Sequence, residues 1–203
     1  FATKMTDKLE YWASQTPDNI LIAQRSEDKQ HWETITYAEA LVKVKHLSQF
    51  ILNQNVSVER PIAILSGNSI SHFLVGLAAM YVGIPYSPIS TAYSLVSTDF
   101  GKLRYIVEKM TPGMVFVDNL GPYRNAIDAV VPLDCLVLVD EAAHAMDDFN
   151  YSLSIFDDAI KTPITDEVTI ANRAVKGDTI AKLLFTSGST GMPKGVINTQ
   201  EMI

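Results

Sequence analysis

The sequence predicts an α/β fold, a largely parallel sheet flanked by helices, from three observations. Short apolar runs of strand length alternate with stretches of helical period along the chain. The runs are continuously apolar rather than alternating, as strands covered on both faces are. The 203 residues are 47% hydrophobic and 19% charged, enough apolar material for a sizeable core and too much for a disordered chain.

Met5, Leu9, Trp12 and Ala13 recur at helical spacing until Thr16-Pro17-Asp18-Asn19 interrupts them with turn residues. Residues 20–23 and 31–35 read as two strands joined by the polar turn Ser26-Glu27-Asp28-Lys29. Thr36 and Glu39 have the spacing of a capping box, and Tyr37, Leu41, Val44, Leu47 and Ile51 continue one face of the helix it opens. Residues 61–65 form a buried strand ended by Ser66-Gly67-Asn68. An apolar helix carrying Ile70, Phe73, Leu74, Leu77, Ala78 and Tyr81 follows and stops at Gly83. Residues 84–89 are extended. Leu103, Ile106, Val107 and Met110 mark a helix, residues 114–117 a strand, 123–131 a helix and 133–139 a further buried strand. The acidic stretch 140–150 and the mixed stretch 161–178 lack clear period and read as exposed connectors.

A formal net charge of -7 argues against nucleic acid as the main partner, since phosphate backbones attract basic surfaces. The one cysteine, Cys135, lies in an apolar run and reads as a small buried hydrophobe rather than a nucleophile. The four histidines show no ligand spacing, so no metal site is expected. Glu141, Asp147, Asp148, Asp157 and Asp158 read as solvated rather than as paired catalytic acids. The first fifteen residues do not form a secretory signal, and the apolar run 73–84 is too short for a membrane span of roughly 20 residues. A soluble, cytoplasmic protein is the expectation. Because it starts at Phe1 rather than methionine and stops at Ile203, the chain reads as a piece of a longer protein.

The most informative stretch is Leu183-Leu184-Phe185-Thr186-Ser187-Gly188-Ser189-Thr190-Gly191-Met192-Pro193-Lys194-Gly195-Val196. A β-favouring run breaks into small hydroxyl residues and glycines, then resumes as an extended segment after one lysine. Glycines let backbone N–H groups converge on an anion, hydroxyls donate further hydrogen bonds, and Lys194 adds a mobile charge suited to phosphate. It is not a Walker loop, because Pro193 precedes the lysine and Gly195 follows it. A flexible Ser/Gly turn is the competing reading, but it has no need of a lysine clamped between proline and glycine.

Residues 186–196 resemble the signature loop of the adenylate-forming enzymes, the superfamily of acyl- and aryl-CoA synthetases, luciferases and peptide-synthetase adenylation domains. Residues 35–41 are similar to the early helix start of that superfamily, and residues 80–89 to its glycine followed by a proline-containing strand, so the resemblance covers essentially the whole chain. It implies that residues 1–178 form an α/β subdomain of the AMP-binding domain. Residues 179–203 would be a strand, phosphate loop and strand opening the next part of the same domain. It further implies ATP, Mg2+ and coenzyme A, with a small-molecule carboxylate activated as an acyl-adenylate and then passed to the thiol. Thr186, Ser187, Gly188, Ser189, Thr190, Gly191 and Lys194 would bind the nucleotide phosphates, and Lys194 would neutralise the departing pyrophosphate. The acidic Mg2+ ligand, the adenine and ribose contacts and a late catalytic lysine belong to segments outside this chain, so the chain alone is expected to be inert.

Gln200 departs from the histidine that many members carry after the threonine, which leaves the substrate-side contact there open. Residues 86–95 and 195–200 resemble the corresponding segments of feruloyl-CoA synthases, implying a hydroxycinnamate-like acid, although Tyr86 and Tyr93 would equally serve as packing against the sheet. Two other readings stand beside the ligase: a peptide-synthetase adenylation domain, and a nucleotide- or phosphate-sensing module without chemistry.

Overall fold

The computed structural model describes residues 4–26, 28–141, 149–186 and 191–203. Helix α1 (Met5–Gln15) precedes a two-stranded antiparallel hairpin, β1 (Ile20–Arg25) and β2 (Trp32–Thr36), which feeds helix α2 (Tyr37–Leu52). The capping box is present: Glu39 N–H donates to Thr36 Oγ1 at 3.3 Å, and Thr36 N–H donates to the Glu39 carboxylate at 2.9 Å. Then follow β3 (Ile62–Ile64), α3 (Ile70–Tyr81), β4 (Tyr86–Pro88), α4 (Ala92–Leu95), α5 (Gly101–Met110), β5 (Met114–Asn119) and α6 (Leu120–Val130). The chain continues through β6 (Leu136–Glu141), β7 (Leu153–Ile155), α7 (Phe156–Ala159), α8 (Asp166–Ala174), β8 (Ile180–Thr186) and β9 (Lys194–Thr199).

The seven-stranded sheet runs β7-β6-β5-β3-β4-β8-β9, parallel throughout except for the β8–β9 pair. The predicted α/β architecture is therefore what the chain adopts. Its two faces bury two clusters. One gathers α2, α3 and residues such as Ile62, Ile64 and Phe116. The other gathers α5, α6 and Val115, Val117 and Val137. Neighbouring residues of β3 and β5 thus point into opposite clusters, which is why these strands read as unbroken apolar runs. Helix α3 is buried almost all round; Ser69 accepts from His72 N–H at 3.0 Å to start it, and Gly83 at φ 74° ends it.

Four readings need correction. Residues 161–178 are not a structureless connector, because α8 forms there with Thr165 as its N-cap, accepting from Glu167 N–H at 3.3 Å. Its inner stripe is only Val168, Ala171 and the polar Asn172, too thin an apolar signal to stand out. Asp140 is not in an exposed connector but within β6, where burial raises its carboxyl pKa. The strand expected from residue 133 starts at Leu136, with Leu133 67% exposed. Met5 and Trp12 share the periodicity of α1, yet both are exposed and only Leu9 and Thr6 are buried. The short elements α4, β7 and α7 carry too few residues to show a period.

Candidate functional site: the β8–β9 hairpin

Strand β8 lies beside β4, with Tyr86 opposite Lys182, and β9 returns antiparallel along its other side. The register runs from Lys182 opposite Asn198 to Thr186 opposite Lys194, so the hydroxyl residue that opens the loop and the lysine that closes it form the last rung. Ser187, Gly188, Ser189 and Thr190 lie outside the described residues. Gly191 has φ 121°, a backbone conformation that side chains disfavour, and among the described residues, its chain neighbours aside, no heavy atom lies within 4 Å of where its Cβ would be. Pro193 is buried and Lys194, next to it, is exposed. A fixed proline therefore presents a solvated ammonium beside the hairpin mouth. No aspartate or glutamate occurs from residue 179 to 200. That donor set of N–H groups, hydroxyls and an ammonium without a competing carboxylate suits polyphosphate.

Beside the loop, a cavity of about 520 Å³ is lined by residues including Tyr93, Val96, Asp99, Lys102, Gly191 and Met192. Lys102 Nζ lies 5.5 Å from the centroid of the Tyr93 ring. Tyr86 lies elsewhere: it is buried against Gly76 of α3, in the cluster on the other face of the sheet, and burial raises its hydroxyl pKa. The structure thus separates the two tyrosines. Tyr93 borders the loop cavity, whereas Tyr86 packs.

The carboxyl ends of β3 and β5 form a second place where a ligand could be expected, because the strand order reverses there and open α/β sheets commonly bind ligands at that crevice. Here the protein fills it. Gly67 N–H donates to Asp118 Oδ2 at 3.1 Å, and Asn119 N–H donates to Asp118 Oδ1 at 2.9 Å. His72 Nδ1 lies 2.9 Å from Ser66 Oγ and 3.0 Å from the Gly67 carbonyl oxygen, and burial lowers its pKa. An internal carboxylate occupies the donors that an anion would need.

Other residues read as non-functional have structural roles. Cys135 is buried, its thiol pKa pushed up to about 12, first by burial and then by Asp134. His46 Nδ1 lies 2.7 Å from the Thr162 carbonyl oxygen. Among the described residues no cluster of three or more His, Cys, Asp or Glu side chains could hold a metal ion, and no helix is long and apolar enough to cross a membrane. Asn172, passed over in the sequence, and Gln200, noted there only for a substrate-side contact, cap the end of α3 from distant elements. Asn172 Nδ2 donates to the Tyr81 carbonyl at 2.9 Å, and Gln200 Nε2 to the Met80 carbonyl at 3.2 Å. Their signal was weak because an isolated polar residue gives no sign of which remote carbonyl it satisfies.

A largely parallel, doubly wound sheet extended by the antiparallel β8–β9 pair defines an α/β protein. Residues 9–203 match the AMP-binding enzyme family, and the chain belongs to that family. Over 94% of its length it is 26% identical to the Probable non-canonical nonribosomal peptide synthetase CymA of Salinispora arenicola, covering 2% of that protein. Over 96% of its length it is 26% identical to the medium-chain fatty-acid–CoA ligase of Escherichia coli, covering 33% of it. The chain therefore spans a third or less of these relatives. Its fold is similar to that of the fatty acyl-adenylate ligase from L. pneumophila, solved with acyl adenylate and pyrophosphate. The TM-score is 0.67 at 19% identity, over 98% of this chain and 31% of that one.

Proposed function

We propose that the chain is the N-terminal part of an AMP-forming acid–thiol ligase and supplies its phosphate-handling hairpin. Residues 1–178 form one subdomain, and residues 179–203 open the next part of the same domain. The observation that carries the reading is the last rung of β8–β9, where Thr186 and the exposed Lys194 flank a loop without carboxylates, in a chain of the AMP-binding family. Thr186, Ser187, Gly188, Ser189, Thr190 and Gly191 hold the β- and γ-phosphates of ATP. Lys194 stabilises the charge that develops on pyrophosphate as a substrate carboxylate attacks the α-phosphate. The chain contributes position and electrostatics, and forms no covalent bond. When bound, Mg2+ would neutralise phosphate charge; the hairpin itself carries no carboxylate to hold it, and the family resemblance implies an acidic ligand from another segment. The second half-reaction transfers the acyl group to coenzyme A.

For the acid we propose a hydroxycinnamate such as ferulate. Similarity of residues 86–95 and 195–200 to feruloyl-CoA synthases supports this, as does the place of Tyr93 beside the loop cavity; Tyr86 gives it no support. A peptide-synthetase adenylation domain is the second reading, favoured by the similarity to the Salinispora arenicola synthetase. The test is a panel of ferulate, coumarate, benzoate, acetate, a medium-chain fatty acid and amino acids on the full-length protein, with thioester formation scored as kcat/KM. Ferulate or coumarate should lead. Preference for acetate or the fatty acid removes the aryl assignment and keeps the ligase, whereas activation of an amino acid onto a carrier domain replaces the ligase by the second reading.

A further inference from the structure

Strand β9 has an unusual problem for a strand that must place a catalytic side chain. Among the described residues it is paired only by β8, and its residues 194–197 are exposed, so within this chain burial of one face does not fix its register. Register in such a strand is weakly specified, and a slip of one residue moves every side chain to the opposite face, about 3.3 Å along the strand. The β8–β9 pairing already contains an irregularity between Ile180 and Lys182. Among the described residues from 191 to 203, only Pro193 and Gln200 are buried.

Gln200 is 3% exposed. Its backbone N–H donates to the Thr179 carbonyl at 2.9 Å, and its side-chain amide crosses to the last turn of α3 to donate to the Met80 carbonyl. That carbonyl lies in the last turn of α3, where Gly83 N–H also reaches it at 3.4 Å, so the Gln200 amide adds a second, shorter bond to the helix end while tying down β9. Glu201 N–H adds a bond to the Gly177 carbonyl at 2.9 Å. A shifted β9 would withdraw the amide from Met80 and leave buried polar groups at both ends, which is costly.

We infer that Gln200 is a positioning residue that locks the register of β9 and so fixes Lys194 at the mouth of the loop. It acts through Lys194, and its amide faces the end of α3 rather than a substrate. This inference rests on the proposed role of Lys194. Asn172 provides the control, because it caps the neighbouring carbonyl of the same helix end, at Tyr81, from α8 and has no part in β9.

The experiment uses the full-length protein with Gln200→Leu, Asn172→Leu and Lys194→Ala, measuring ATP-dependent adenylate formation and amide exchange in β9. Gln200→Leu should lower kcat/KM for ATP at least tenfold and speed exchange of the β9 amides at least tenfold, leaving β3 and β5 unchanged. Asn172→Leu should stay within twofold of wild type on both readouts, even at equal loss of Tm. In the Lys194→Ala background, adding Gln200→Leu should cost less than a further twofold, because the lysine through which it acts is gone. Gln200→Glu, which keeps the shape and removes the donor, carries the same expectation should the leucine variant fail to fold. Equal effects of Gln200→Leu and Asn172→Leu, an additive double mutant, or unchanged β9 exchange would overturn the inference. A wild-type enzyme that forms no adenylate overturns the functional reading instead, while the exchange data still judge the register lock.

Discussion

Two glycine-containing segments beside the same sheet, one at its centre after β3 and one between β8 and β9, differ in the charge the chain sets next to them. At the β3–β5 switch point the donors are used internally, since the Asp118 carboxylate takes the N–H of Gly67 and of Asn119. At the β8–β9 hairpin there is no carboxylate between residues 179 and 200, the loop is glycine-rich, and Lys194 is exposed. The difference teaches that fold alone does not locate the phosphate site. The crevice favoured by topology is closed by one aspartate, and the phosphate site proposed above lies instead on the antiparallel β8–β9 hairpin.

The largest effect expected is at the open site. Lys194→Ala should slow adenylate formation by about 10²-fold, the usual loss when a positioned charge-stabilising group is removed. Its Tm should not move, because the side chain is exposed. Single-turnover kinetics at saturating ATP and a thermal melt of the same protein check both halves.

Gly191→Ala tests whether the loop depends on its backbone. Among the described residues nothing beyond its chain neighbours crowds Gly191, so the expected penalty comes from holding alanine at φ 121°, about 1–3 kcal/mol. That corresponds to a rise of about 5- to 150-fold in KM for ATP. Wild-type KM would mean that the loop adapts to its ligand without the glycine conformation.

Asp118→Ala sharpens the comparison from the closed side. Loss of its two backbone bonds should destabilise the chain by about 1–2 kcal/mol in urea unfolding, with ATP kinetics within twofold of wild type. A larger effect on ATP than on stability would make the switch point part of the active site after all.

The smallest effect concerns Asp140, whose carboxyl pKa is raised chiefly by burial, with the Asp157 and Asp118 charges adding to it and Ser71 and Lys43 opposing. A raised pKa means that the folded state holds the proton more tightly than the unfolded one. Its contribution to stability is full below the ordinary carboxylate value near 3.8 and is lost as pH rises through the raised value. Asp140→Asn should therefore raise Tm slightly at pH 7, and the gain over wild type should shrink towards pH 4. Equal Tm shifts at both pH values would contradict the burial of this carboxylate.

Much of this was legible in residue order. Continuous apolar runs at 61–65 and 114–117, the Thr36–Glu39 capping box and Gly83 at the end of α3 each have a local cause, so local pattern found them. The hairpin was legible because glycines, hydroxyls and a single lysine are rare together. Long-range pairings were not. Asp118 closing on Gly67, Asn172 reaching Tyr81 and Gln200 reaching Met80 join residues 51, 91 and 120 positions apart, and no local periodicity encodes them. Helix α8 was missed for a related reason, since its buried side holds an asparagine whose partner lies on another helix.

The measurement that tests the central claim most directly is isotope exchange between pyrophosphate and ATP by the full-length protein, with and without a carboxylic acid. The account predicts exchange that requires both ATP and the acid, strongest with a hydroxycinnamate and reduced about 10²-fold by Lys194→Ala. No exchange with any acid, or exchange that Lys194→Ala leaves intact, would contradict it.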